Sequence, residues 1–368
     1  MRASKIVLYS FILMLSSNGE AQSTSNPDIS VIPRFRVESN DAAGSLRTPD
    51  FNLEEFEIAI QSYLNPYSRA DIFLTKPGLG EEPIEIEEAY ATFLRGLPLD
   101  LNLRIGKYLA EFGKLNALHP HAWPFLSKPL VLERFLGSEG INDLALGASI
   151  VVPLSDEIYS RISIDLLRGK TIGTLDPQSE TSSGGIGLAD TLHRLIPYAL
   201  SGRYMVFLPL GDVADLEFGI SGMTGIHDPY RNFGFSYGAL DMKYKWKPDM
   251  YTALTIQGEA LVNIRAVASG FSSQDISTSG FYLYADYQFR KIYSLGARLD
   301  WCQSPYSADD KARGFALFTG FYPVEETTAF RLEYQRKSLD IPGSSSTTIN
   351  TIALQFMFSM GPHKAHPF

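Results

Sequence analysis

The sequence has little of what defines several large classes of protein. Its 368 residues contain one cysteine, Cys302, which excludes a disulfide framework and a CxxC redox or metal motif. Beyond the N-terminal segment, no apolar run reaches the roughly 18 residues that a membrane-spanning helix requires. Positive charge is also scarce, because 32 Lys and Arg stand against 41 Asp and Glu, a net charge of −9. Such a chain lacks the basic face that a nucleic-acid partner requires.

The N-terminal segment has the composition of a secretory signal. Arg2 and Lys5 precede an apolar stretch, and small residues lead to the expected cleavage after Ala21. We therefore predict that residues 1–21 are removed on export, that residues 22–360 form one domain, and that residues 361–368 form a tail behind it. With 45% hydrophobic residues, the exported part can bury a substantial core.

Most of the exported chain alternates apolar with polar residues, the period-two pattern of a β-strand with two different faces. The segment from Thr351 to Met360 is the clearest example. One face carries Ile352, Leu354, Phe356, Phe358 and Met360, and the other carries Thr351, Ala353, Gln355, Met357 and Ser359. The chain contains about sixteen such segments, an even number, as is usual in bacterial outer-membrane barrels.

The connections between these segments alternate in length. Short turns such as Asn65-Pro66 and Pro248-Asp249 are interleaved with longer polar connections at 171–195, 269–276 and 340–348. Aromatic residues cluster beside the short turns, as in the interfacial girdle of an outer-membrane barrel. The predicted fold is therefore all-β: a transmembrane antiparallel up-and-down barrel of about 16 strands, with both termini in the periplasm. Its outer face would contact the lipid and lipopolysaccharide of a Gram-negative outer membrane.

The connection after the fifth predicted strand has an unusual composition. Residues 115–142 are rich in apolar side chains, whereas a loop of this length that faces water should be polar. The roomy interior of such a barrel offers a surface for the loop, which would then narrow the pore. An Ω-loop packed on the rim is the alternative. The inward arrangement predicts five constriction residues: His119, His121, Trp123, Glu133 and Arg134.

The fifth predicted strand also resembles a known family. The run from Arg104 to Lys114 reads RIGKYLAEFGK and is similar to the strand-five region of phosphate-selective and related anion porins. Those carry an R-x-G-K/Q-aromatic-x-x-x-aromatic-G pattern before a constriction loop. The wider chain resembles a group of porin-like outer-membrane proteins of Gram-negative bacteria, some labelled zinc-regulated TonB-dependent outer membrane receptors. Its landmarks are Asn26 to Ser30, Glu87 to Tyr90, His119 to Phe125 and Gly361 to His366. Unlike in a true receptor, no plug domain precedes the first predicted strand.

Carboxylates are frequent on predicted strands two and four. They are Glu54, Glu55, Glu57, Glu85, Glu87 and Glu88. Alternate members would face the lumen and favour cations, whereas a mixed lining balanced by Arg and Lys is the alternative. The residues predicted to line the pore are Glu85, Glu87, Arg104, Glu111, Arg161 and Glu259. No dense row of Arg and Lys is present, so phosphate selectivity is not predicted.

The histidines indicate a candidate metal site. Four of the 6 histidines form two close pairs, His119 with His121 and His363 with His366. Neutral imidazoles suit zinc and related ions, and these spacings can bring both rings of a pair to one ion. The first pair lies in the inward loop and the second in the tail, so they would form separate, incomplete sites. Solvated or packed histidines are the alternative, and no other cofactor is predicted.

The combined features predict a porin-like outer-membrane channel for passive diffusion of small hydrophilic solutes or ions, narrowed by residues 115–142. A zinc-uptake component or TonB-linked receptor-like barrel is the first alternative, and an adhesin or structural barrel is the second. An enzyme is not expected, because neither His193 nor His227 accompanies a G-x-S-x-G motif. Analogy with porins implies a homotrimer. The segment from Thr351 to Met360 resembles the strand that the barrel-insertion machinery recognises, with Phe358 or Phe368 as its end.

Overall fold

The computed structural model describes residues 26–45, 48–169, 199–228, 232–269, 272–324 and 327–362. Sixteen strands form one closed barrel, in which every strand pairs antiparallel with the next and β1 pairs with β16. The strands are β1 Asp28–Asn40, β2 Asp50–Asn65, β3 Ser68–Pro77, β4 Glu85–Phe93, β5 Asn102–Leu109, β6 Asn142–Pro153, β7 Tyr159–Leu167, β8 Ala199–Pro209, β9 Ala214–Asp228, β10 Phe233–Trp246, β11 Ala253–Ser269, β12 Ser272–Phe289, β13 Tyr293–Ser304, β14 Ser307–Val324, β15 Thr328–Asp340 and β16 Thr347–Phe358. The predicted up-and-down barrel is confirmed.

Several sequence predictions fall outside the described residues. They are the signal segment 1–21, the connection 171–195 with His193, the tail pair His363 and His366, and the terminal Phe368. Among the described residues, no helix is long and apolar enough to cross a bilayer.

The two faces of the barrel have opposite polarity to those of a water-soluble protein. On β11, Val262 and Ile264 are about half exposed on the outside, whereas Gln257, Glu259 and Asn263 are buried inside. On β16, the predicted assignment of faces is confirmed, because Ile352 is 56% exposed and Gln355 is 1% exposed. An apolar exterior of this kind fits hydrocarbon, and closure leaves no strand edge unpaired.

Aromatic rings form a row on the outer face toward the short-turn rim. Neighbouring ring centroids lie 4.9–6.3 Å apart across six strands. The members are Phe289, Tyr293, Phe321, Phe330, Phe356 and Phe35. Amphipathic and aromatic rings at this level are typical of the interfacial girdle of outer-membrane barrels.

One of the predicted long connections is wrong. The stretch 269–276 is largely part of a hairpin, because β12 begins at Ser272 and pairs with β11 through Ala266 with Asp275 and Ala268 with Ser273. Ser273, Gln274 and Asp275 place polar side chains on both faces of this strand, as in strands that extend beyond the apolar layer into water. The alternation that marks the other strands is therefore absent there.

The connection between β5 and β6, residues 110–141, folds into the barrel. It contains a short 3-10 turn, Pro120–Ala122, and one helix, α1 Leu130–Leu136. Helix α1 packs against β12, β13 and β14, on the far side of the barrel from β5 and β6. The chain can reach that wall only through the lumen. The predicted inward loop is confirmed, and the alternative of an Ω-loop on the rim is wrong.

Candidate functional site

The inward loop fills one side of the lumen with an apolar cluster. Leu130, Val131, Leu132 and Leu136 on the loop are each at most 1% exposed. Phe135 stacks on Tyr237 with ring centroids 6.0 Å apart. Phe125 meets Tyr284 and Phe318 edge to face, at 5.2 and 5.7 Å. The apolar residues of this loop, which are unusual for its length, thus pack it against β10, β12 and β14.

Charged residues of the barrel wall hold the loop backbone. Glu333 accepts hydrogen bonds from the backbone nitrogens of Leu126, at 2.7 Å, and Ser127, at 3.2 Å. Arg331 donates to the carbonyl oxygens of Trp123 and His121 at 2.7 and 2.6 Å. Buried backbone groups need such partners, since no water is available to replace them. The wall charges on this side therefore fix the loop and do not face an open passage.

The loop has a glycine just after β5, Gly113, at a position where a side chain would cause a steric clash. Gly113 adopts a left-handed φ of +65°, and a Cβ on it would collide with the Glu259 carboxylate. Its backbone nitrogen donates to Ser221 Oγ at 3.0 Å, and the nitrogen of Leu115 donates to Glu259 Oε1 at 2.7 Å. The close approach of backbone to wall at this point explains the glycine that ends the porin-like motif.

The other side of the lumen contains two cavities. One, of 710 Å³, lies between β1 and β2 at the long-loop rim, and the second, of 270 Å³, lies deeper, between these strands and the inward loop. Glu54 lines both cavities. Among the described residues, six carboxylates and three cationic groups line them: Glu38, Asp50, Glu54, Glu55, Glu87, Glu139, Arg34, Arg36 and Lys128.

Beside the deeper cavity, the loop histidines meet carboxylates of β2 and β4. His119 Nδ1 lies 3.6 Å from Glu57 Oε2 and 3.4 Å from Glu87 Oε1, and His121 Nδ1 lies 3.2 Å from Glu57 Oε2. The other ring nitrogen of His119, Nε2, lies 2.6 Å from Glu88 Oε1. We call these five residues the histidine–carboxylate cluster. Glu57 and its two histidines have one ligand atom each within 4.8 Å of one another, as a shared metal ion requires.

The pKa values of the two loop histidines shift in opposite directions. Burial disfavours the imidazolium of His119, but the carboxylates of Glu87 and Glu88 outweigh burial and raise its pKa well above the ordinary value. For His121, burial outweighs the attraction of Glu57 and lowers the pKa.

The remaining predicted constriction residues lie apart from this cluster. Trp123 is buried and packs near Phe125 at 6.0 Å between ring centroids. Glu133 and Arg134 lie on the side of α1 away from the apolar cluster. Glu133 faces Lys337 at 3.7 Å, and Arg134 pairs with Asp310 at 3.1 Å.

The predicted pore-lining residues are divided among four environments. Glu87 lines the deeper cavity, and Glu85 is exposed at the end of β4. Arg104 lies over the Tyr108 ring at 5.0 Å and 3.8 Å from Glu111, which also pairs with Arg161 at 2.6 Å. Glu259 lies on the lumen face beneath the loop, where its carboxylate accepts a hydrogen bond from the Leu115 nitrogen, and it lines neither of the two cavities.

The alternating pattern predicts that Glu57, Glu87 and Glu88 lie on lumen-lining strands, but it does not predict their contacts with the histidines. The roles of Glu333 and Arg331 in holding the loop are not predicted by the sequence either. The signal that was available for the cluster is that acidic strands two and four lie close to the root of a histidine-bearing loop. No comparable signal marks Glu333 or Arg331, because each is one polar residue in an alternating strand.

Comparison of the sequence with known proteins does not identify a family. No family model matches the sequence. An uncharacterized protein of Aquifex aeolicus (strain VF5) is 28% identical over an alignment of 346 residues, which covers 86% of this chain and 70% of that protein. At this identity, the relative shows neither a family nor an activity.

Solved structures share the barrel at low sequence identity. The outer membrane channel DcaP of Acinetobacter baumannii has a TM-score of 0.61 and 11% identity, over 92% of this chain and 99% of that one. An anion-selective porin from Comamonas acidovorans has a TM-score of 0.59 and 10% identity, over 91% and 99%. OmpT of Vibrio cholerae, solved in a trimer form, has a TM-score of 0.54 and 8% identity, over 91% and 100%. The porin-like fold is thereby confirmed, whereas these neighbours lend no support to the receptor-like alternative.

Proposed function

We propose that the chain is an outer-membrane channel of a Gram-negative bacterium for passive diffusion of small hydrophilic solutes or ions. The inward loop at 115–142, whose observed limits are 110–141, narrows the passage to the side lined by β1, β2 and β4. The proposal rests above all on the two charge-lined cavities that the loop leaves beside these strands. The charged side chains that line these cavities require hydration, and ions diffuse through a water-filled path lined by fixed charges.

The surroundings of the barrel follow from the same proposal. The apolar outer face would lie in lipid and lipopolysaccharide, and both termini would lie at the periplasmic rim. The strand from Thr351 to Met360 would be read by the insertion machinery. A homotrimer is proposed because the structurally similar OmpT was solved in a trimer form.

The charges of the passage favour cations. Six carboxylates and three cationic groups line the two cavities, an excess of negative charge in a confined space. Such an excess raises the local concentration of cations and lowers that of anions. The mixed lining that the sequence left open is thus proposed to have a cation preference.

Single-channel recording of the refolded mature protein in a planar bilayer tests this function. With a KCl gradient across the bilayer, we expect stepwise ohmic currents and a reversal potential of the sign that K⁺ permeation produces. Replacing Glu157, an exposed carboxylate on the β6–β7 turn, by Gln is the control and leaves the reversal potential unchanged. A folded barrel that passes no current would contradict the channel and favour an adhesin or structural barrel.

Metal uptake is the second candidate. The observation that favours it is the histidine–carboxylate cluster, because Glu87 and Pro120 also line the deeper cavity. An ion that entered the passage would meet imidazole and carboxylate ligands there. Permeation of Zn²⁺ in the same recordings, with a reversal potential that shifts when Zn²⁺ replaces K⁺ on one side, would support it.

A further inference from the structure

The histidine–carboxylate cluster concentrates acidic groups where water is scarce. Glu57 is 1% exposed, and Glu88 is 6% exposed. Among the described residues, neither carboxylate oxygen of Glu57 accepts a hydrogen bond, and Glu87 Oε2 is also buried without one. Buried carboxylates are costly unless a cation or hydrogen-bond donors compensate them. The cluster therefore has the electrostatic character of a cation site.

Three distances in the cluster are close to those between neighbouring ligand atoms of a tetrahedral metal ion. Metal–ligand bonds of about 2.0–2.2 Å that meet at tetrahedral angles separate neighbouring ligand atoms by about 3.3–3.6 Å. The distances from Glu57 Oε2 to the Nδ1 atoms of His121 and His119 are 3.2 and 3.6 Å, and that from His119 Nδ1 to Glu87 Oε1 is 3.4 Å. The separations of 3.4 and 3.6 Å exceed the ordinary N–H···O hydrogen-bond range of about 2.7–3.2 Å, and the separation of 3.2 Å lies at its upper limit.

Glu88 has a different role from the other carboxylates. It contacts His119 through Nε2 at 2.6 Å, on the side of the ring opposite to Nδ1, and it accepts a hydrogen bond from the Leu109 nitrogen at 2.9 Å. A carboxylate that accepts the distal N–H of a histidine fixes the tautomer in which the other nitrogen carries the free lone pair. Glu88 thus orients His119 Nδ1 toward Glu57 and Glu87.

We propose that Glu57, Glu87, His119 and His121 bind a divalent transition-metal ion of the zinc class, with Glu88 as a positioning residue. Two imidazoles and two carboxylates suit zinc and its neighbours in the first transition row, whereas calcium and magnesium prefer all-oxygen sites. The ion reaches the site from the deeper cavity, which Glu87 lines.

The bound ion would tie the loop to the wall formed by β2 and β4. The apolar cluster and the Glu333 and Arg331 contacts hold the loop to β10 and β12–β15. On the opposite side, His119 and His121 bring it to β2 and β4. A metal bridge there fixes the width of the proposed passage. Metal binding is separate from the channel proposal, because it is measured without any current.

The test uses the refolded mature barrel, treated with a chelator and then titrated with Zn²⁺ by calorimetry and with Co²⁺ by visible absorption. We expect one ion per chain and the strong absorption of tetrahedral Co²⁺. The double variant His119→Ala with His121→Ala should abolish both signals, and Glu57→Gln should weaken binding more than the about 10–100-fold typical of losing an outer-shell partner. Glu88→Gln should fall within that range.

His227→Gln is the matched control. It removes a histidine of β9 whose Nε2 lies 2.9 Å from the Ala266 carbonyl oxygen, outside the cluster. Binding should be unchanged. Heat-modifiable gel migration verifies the fold of every variant, and Glu57→Gln, which keeps the side-chain volume, gives a result even if the double variant does not fold. Absence of Zn²⁺ binding by the parent protein, or full binding by folded Glu57→Gln, would overturn the proposal.

Discussion

The two sides of the lumen are built from the same alternating strands but are used in opposite ways. Toward β10–β15, aromatic and charged wall residues are covered by the loop: Phe125 and Phe135 fill the space, and Glu333 serves the loop backbone. Toward β1–β4, acidic residues such as Glu38 and Glu54 face cavities. The role of a lumen-facing carboxylate thus depends on what lies opposite to it: backbone N–H groups of the loop for Glu333, and Arg36 beside a cavity for Glu38 and Glu54.

The largest expected effect comes from removing a large apolar side chain of the loop from the side of the lumen that the loop fills. Phe135 is fully buried against Tyr237, so Phe135→Ala should lower the free energy of unfolding by about 3–5 kcal/mol and raise single-channel conductance as the loop loosens. Urea titration and bilayer recording measure the two effects. Phe218→Ala, on the outer face, is the control for conductance. An unchanged conductance in Phe135→Ala would mean that the loop does not set the passage.

A pair of glutamates tests the comparison directly. Glu333→Ala leaves the buried nitrogens of Leu126 and Ser127 without an acceptor, which costs about 1–3 kcal/mol for each. Glu38→Ala removes a partly exposed ion pair with Arg36, which costs about 1 kcal/mol or less. Urea unfolding of the two variants in one lipid provides the measurement. Equal losses of stability would remove the distinction between the two sides.

Ion selectivity should depend on the glutamates beside the cavities and not on those that hold the loop. Glu54→Gln removes one of the three excess negative charges along the cavities and should lower the logarithm of the K⁺ to Cl⁻ permeability ratio by about a third. Glu333→Gln should leave that ratio unchanged, because its carboxylate is turned to the loop backbone. The reversal potential in a KCl gradient measures both. A shift in Glu333→Gln alone would contradict the proposed position of the passage.

The smallest expected effect is a pH dependence from Lys128. Burial lowers the pKa of this loop lysine to about 8, although Glu139 and Glu133 act against burial. The cation is therefore lost from the cavity above pH 8, and cation selectivity should rise between pH 7 and 9. Because the unfolded lysine holds its proton up to its ordinary pKa near 10.5, stability should also rise with pH above 8.

Lys128→Met serves as the reference for this measurement, since it retains the length of the side chain without the charge. The difference between the parent protein and this variant in the pH-dependent reversal potential isolates Lys128 from other titrating groups. Parallel pH profiles of the two proteins would exclude Lys128 from the lining of the passage.

The barrel was predictable because its signal is local. A strand with lipid on one side and a polar lumen on the other must alternate with a period of two, so the inward position of Gln355 and the outward position of Ile352 follow from neighbours in the chain. The failure at 269–276 has the same origin, since strands that leave the apolar layer lose the contrast between their faces. The apolar composition of the 115–142 connection likewise indicated burial without help from other segments.

The fold class, the faces of the strands and the burial of one loop follow from the amino-acid sequence, because each depends on the local distribution of apolar and polar residues. The wall that the loop covers follows only from the folded barrel. So do the contacts of Glu57 and Glu87 with His119 and the position of Glu259 beneath the loop. These contacts join residues far apart in the chain, and they depend on strand register and on the path of the loop across the lumen. Neither of these is encoded in a local pattern.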